Sequence, residues 1–121
     1  MTNQLDIPTR VVAEGRWYAA RFLEQMAQDE PGMAQSLLAA ATCYETEHEL
    51  MWETWRLGGY EAGSPLLWHN WVFDWEDRDL LDTRAHTLAD PDTRRRIFPL
   101  IRQAQAQDAA AIGHIRQALD E

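Results

Sequence analysis

Thr42-Cys43-Tyr44-Glu45-Thr46-Glu47-His48-Glu49-Leu50-Met51-Trp52 decides the fold. It lies within an amphipathic pattern running from about Ala34 to Leu57. Leu37, Ala41, Tyr44, Met51 and Trp55 recur at alternating steps of three and four, which marks one face of a helix. His48 belongs to the same series, and Glu45 stands one turn before it. A carboxylate and an imidazole at i, i+3 point to the same side of a helix. A carboxylate on the buried side must be paired, protonated or bound to a metal.

Three more segments carry helical periodicity. Helix one spans about Thr9 to Gln28, with Val11, Tyr18, Phe22 and Met26 expected inward. Helix three is expected from Pro65 to about Leu88 and helix four from Pro91 to about Leu119. Ser64-Pro65 and Asp90-Pro91 each join a good N-cap to a first-turn proline. Pro99 either kinks helix four or marks an irregular first section. Asp29-Glu30-Pro31-Gly32 reads as a reversal, and Gly58-Gly59 closes helix two through the left-handed conformation open to glycine. Residues 1–7 read as a loose tail, and no strand pattern occurs. The links are too short to return along helices of about 30 Å. The expected fold is therefore a single all-α domain over residues 1–121, a four-helix bundle of up-down-up-down topology.

Composition narrows the function classes. The chain has 121 residues and a net charge of -9, which argues against nucleic-acid and anionic-membrane partners. Arg94-Arg95-Arg96 is too short a basic run to reverse that reading. No apolar stretch approaches a membrane span. The lone Cys43 excludes an internal disulfide, and cytoplasmic residence is the expectation. Ser36 and Ser64 both stand near helix starts, which leaves no serine-hydrolase triad, and there is no Gly-rich phosphate loop.

Carboxylates recur at related places in the four patterns. Glu14, Glu45, Glu76 and Asp108 are separated by 31, 31 and 32 residues. Reversals at the expected links would bring all four within about one turn of the same height, mid-bundle. Together with His48 they form a donor set suited to one or two iron or manganese ions, since hard carboxylates and imidazole favour those metals.

Glu45-Thr46-Glu47-His48 resembles the Glu-x-x-His motif of the ferritin-like di-iron carboxylate family. The resemblance implies Glu14 and Glu76 as single carboxylates and Asp108 as the second paired acid, with Ala111 where that family has its second histidine. It also implies oxygen or peroxide chemistry at the bound ions. The same residues have bland readings. Glu14 can form a surface ion pair, Glu45 can pair with a basic residue of a neighbouring helix, and His48 can be a core histidine bonded to Glu14 or Asp108. The competing functional class is a non-catalytic acidic interaction module, or a bundle holding an apolar ligand. Five of the six tryptophans fall between residues 52 and 75, which points to a homodimer through the aromatic face of helices two and three or to an apolar pocket.

Overall fold

The computed structural model describes residues 6–58, 86, 87 and 89–120, excepting the side chains of residues 6, 7, 8 and 10. Helix α1 spans Asp6–Asp29, α2 spans Ala34–Leu57 and α3 spans Pro91–Asp120. A short 3-10 turn, Pro31–Met33, leads into α2. Among the described residues these three long helices replace the expected four-helix, up-down-up-down bundle, and no strand is present. The expectation for helix three, Pro65 to about Leu88, falls almost wholly on residues 59–85, which lie outside the described residues.

Local chemistry sets the helix ends. α1 begins at Asp6, inside the stretch expected as a tail, and Pro8 falls in the first turn, where a missing N–H removes no helical bond. The Glu30 N–H closes that helix on the Met26 carbonyl at 2.8 Å. α2 ends at Gly58, whose N–H donates to the Thr54 carbonyl at 3.1 Å. Gly58 itself keeps φ at -73°, and Gly59, the other glycine of the expected closure, lies outside the described residues. Asp90 caps α3: its carboxylate accepts from the Asp92 N–H at 3.1 Å and the Thr93 hydroxyl at 3.3 Å. α3 continues through Pro99.

Each helix buries its small residues. Ala13, Ala20 and Ala27 repeat every seven residues on α1, as do Ile97, Ala104, Ala111 and Ala118 on α3. A seven-residue period keeps one narrow seam facing a partner helix, and alanine lets the backbones approach closely. α2 lies between the other two and buries a wider arc, including Leu37, Ala40, Ala41, Met51, Thr54 and Trp55. His48 meets Ala13, Arg16 meets Glu47 and Arg21 meets Glu45, so α1 and α2 run antiparallel. Ala104 packs with Met51, and Ala118 lies in the same core cluster as Leu37, so α2 and α3 are antiparallel as well. α1 and α3 are consequently parallel.

The expected inward face of α1 is corrected at Val11, Tyr18 and Phe22, while Met26 packs against the core as expected. Val11 is 61% exposed, Tyr18 52% and Phe22 65%, while Ala13 and Ala20, two positions away, are buried. Trp17 meets Tyr18 edge-on at 5.0 Å between ring centroids. Val11, Tyr18 and Phe22 therefore form an outer row, while Ala13, Ala20, Leu23 and Ala27 form the seam.

The seams predict opposite outcomes for two methyl-scale changes. Ala111→Leu should overfill the α2–α3 contact and lower stability by about 1–3 kcal/mol. Gly113→Ala adds a Cβ that meets nothing within 4 Å and should raise stability by roughly 0.5–1 kcal/mol through helix propensity. Urea unfolding of the two variants checks both signs.

Candidate functional site

Arg16 is the meeting point of the three helices. Its Nε donates to the Glu47 carboxylate on α2 at 2.8 and 3.0 Å, and to Asp108 Oδ1 on α3 at 2.9 Å. The guanidinium carbon lies 5.6 Å from the centroid of the Tyr44 ring, within cation–π range. The Glu47 side chain is only 3% exposed, whereas those of Arg16 and Asp108 are about one-third exposed (33% and 32%). The cluster is therefore closed at Glu47 and open to solvent along Asp108.

Electrostatics divides the two acids. Burial pushes the Glu47 carboxyl up to about 7, and its hydrogen bond with Asp108 pushes the same way, both outweighing the opposing pull of Arg16. Two carboxyls within hydrogen-bond reach share a proton more readily than they ionise together. Burial works against the charge on Arg16, yet Glu47 and Asp108 outweigh it and hold the guanidinium pKa above its ordinary value. Burial, with help from Asp108, raises the Tyr44 phenol, and burial alone raises the Cys43 thiol away from reactivity.

The expected metal donors are not brought together. Asp108 is tied to Arg16, and Glu45 is ion-paired with Arg21 on the α1–α2 flank. His48 Nδ1 lies 2.6 Å from the Ala13 carbonyl oxygen and donates to it. This core histidine bonds to backbone rather than to Glu14 or Asp108. Glu14 is half-buried on α1, and Glu76 lies outside the described residues. Among the described residues no three His, Cys, Asp or Glu side chains are grouped closely enough to hold a metal ion. The cation between Glu47 and Asp108 is Arg16, and the full donor set expected for iron or manganese is not tested, because Glu76 lies outside the described residues. The ferritin-like reading, its metal-binding function and its redox chemistry are corrected accordingly.

The remaining charges are local pairs. Arg21 also bonds Glu24 at 2.8 Å and lies 5.3 Å over the Trp17 ring. Arg95 meets Asp92 at 2.5 Å, and Arg94 donates to the Ala89 carbonyl at 3.2 Å, which accounts for two residues of the arginine run. Trp52 stacks on buried Trp55 at 4.6 Å, while Trp68, Trp71 and Trp75 lie outside the described residues.

Glu47 and Arg16 carry the site, and the helical reading of the sequence passed over both. Glu47 stands seven residues after Ala40 and seven before Thr54, all three buried. That second seven-residue series was the available signal.

Two hollows adjoin the cluster. One, of about 290 Å³, lies between α1 and α3 beside Phe22, Leu23, Tyr44, Ile115 and Leu119. The other, of about 300 Å³, is lined by Val12, Met51, Ile101 and Gln105 together with Arg16, Glu47 and Asp108. Among the described residues no helix is long and apolar enough to cross a membrane. No protein-family model, curated protein or solved structure matches this chain.

Removing the cation should be felt strongly. Arg16→Ala should destabilise by about 2–4 kcal/mol at pH 8, somewhat below a fully buried pair because Arg16 is partly exposed. The loss should shrink at pH 5, where Glu47 holds its proton. Glu47 also sets a pH profile. Its folded value of about 7 exceeds the ordinary 4.5, so the native state binds the extra proton between those values. That contribution is complete below pH 4.5 and is lost as pH rises through 7. Denaturant titrations should show stability declining across this window, and Glu47→Gln, which cannot ionise, should flatten the decline.

Proposed function

We propose that this chain is a non-catalytic helical interaction module, an acidic bundle that works through its surface. One observation carries the reading: large apolar side chains face outward in rows while Arg16, Glu47 and Asp108 pair with one another between the helices. Val11, Tyr18 and Phe22 form the row on α1, and Ile112 and Leu119 extend it on α3. Scattered exposed apolar residues need no explanation, but contiguous ones mark contact surfaces. Between the helices, Arg16, Glu47 and Asp108 form a register device, a recognised use of partly buried charge in helical assemblies.

A homodimer through the aromatic face of α2 is the second reading. It is supported by Trp52, which stacks on Trp55 while staying only half-buried. The single cysteine and acidic balance suit cytoplasmic residence.

Two measurements test the module. Protein purified without chelator should carry no stoichiometric iron or manganese, and His48→Ala should keep its helix content and its self-association. Stoichiometric metal that disappears in a Glu45→Ala/His48→Ala double variant would overturn the proposal. Sedimentation of the wild-type chain and of Trp52→Ala tests the dimer, which requires a dimeric wild type that the variant weakens.

A further inference from the structure

The two hollows and the charged cluster fall on one line. Because α1 and α3 are parallel and both lie against α2, the space between them is a groove with α2 as its floor. At one end Leu23 and Ile115 line it, with Phe22 and Leu119 exposed at its rims. At the other end Val12, Met51 and Ile101 line it. Arg16, Glu47 and Asp108 lie between the two apolar ends. From Val12 to Leu23 the groove extends about 16 Å, or three helical turns. Each hollow is large enough to take a bulky apolar side chain.

We propose that this groove docks one amphipathic helix of a partner protein, whose apolar face carries large side chains about eleven residues apart and a single lysine or arginine midway. The inference rests on the interaction-module reading and adds the partner's chemistry.

Charge complementarity selects this occupant. The middle of the groove presents two carboxyl groups against one guanidinium, and Asp108 keeps about a third of its side chain open to the groove (32% exposed). A wholly apolar helix laid across it would cover that carboxylate and strip its water without a replacement. An acidic residue would meet like charge from Asp108, within a chain whose net charge is -9. A single cation instead gains a charge-assisted bond to the partly exposed Asp108 carboxylate. The apolar ends supply buried area and the centre supplies register, as in other helix-in-groove complexes. The α1 row of a second copy is a poorer match. The outer row of α1, Val11, Tyr18 and Phe22, has Gly15 between its first two members and no basic residue.

Binding of three synthetic helical peptides to the full chain tests the proposal by calorimetry. The peptides share leucine anchors eleven residues apart and differ only midway, in lysine, norleucine or glutamate. The lysine peptide should bind about tenfold or more tighter than the other two. Asp108→Asn should erase that preference, and a Phe22→Ser/Leu119→Ser variant, altered only at exposed positions, should weaken all binding. Leu38→Ser, also at an exposed position but outside the lining of both hollows, is the control and should change nothing.

Equal binding of the three peptides would overturn the central cation while leaving the interaction module standing. Absence of binding by all three would overturn the groove. A dimer in sedimentation that Phe22→Ser/Leu119→Ser dissolves would assign the groove to a second copy. Clear thermal destabilisation of that variant as a monomer would show that the chain covers its own groove. Stoichiometric metal in the purified protein is the separate result against the module itself.

Discussion

Arg16 donates from α1 to Glu47 on α2 and to Asp108 on α3, and sliding any one helix by a turn would break at least one of those bonds. The alanine seams alone do not hold the register so firmly. Ala13, Ala20 and Ala27 are nearly interchangeable in shape, so a slip of seven residues would repack much the same surface. Burying Glu47 is costly unless its partners are in place, and that cost falls on every misregistered packing. The same burial explains why Glu47 holds a proton so tightly, with Asp108 adding to the effect and Arg16 opposing it.

α2 carries more of the structure than its neighbours because it has two of them. A helix with one partner buries one narrow stripe, whereas a helix between two buries a wider arc. Leu37, Ala41, Met51 and Trp55 belong to the series visible in the sequence, and all four are buried. Ala40, Glu47 and Thr54 belong to the second stripe. Thr54 is fully buried and satisfies its hydroxyl on the Leu50 carbonyl at 2.8 Å. A single three-and-four pattern laid over this segment selects His48 and passes over Glu47, although Glu47 is the more buried of the two.

Helix existence was legible because periodicity and capping agree: Ala34–Leu57 and the Asp90-Pro91 start of α3 follow from sequence signals alone. Which face turns inward was less legible. On α1, hydrophobicity favours Val11, Tyr18 and Phe22, yet close helix approach favours Ala13, Ala20 and Ala27, and close approach wins. The metal reading failed for a related reason. Spacing placed Glu14, Glu45 and Asp108 at similar heights, but height along a bundle says nothing about azimuth. Glu45 faces Arg21 on one flank of α2, and Asp108 faces Arg16 on the other. A basic residue within reach of each acid supplies the positive charge that a metal would otherwise provide.

The small seam and the apolar exterior occur together. Alanine fills much of the contact between helices, and Leu23, Leu37, Met51, Trp55 and Ile97 are the bulky apolar side chains buried with it. Phe22 and Tyr18 lie on the outside, and so does Leu119, which is 75% exposed. Such residues weaken solubility unless the surrounding surface is charged, and a net charge of -9 supplies that charge. The acidic balance and the apolar rows are thus parts of one arrangement. Like charge on each copy opposes non-specific association, and the rows offer apolar area for a contact. A helix that meets both demands must bring apolar mass for the ends of the groove and positive charge for its centre. The chemistry of the partner is therefore already expressed in the order of side chains along the groove, from Phe22 through Arg16, Glu47 and Asp108 to Val12.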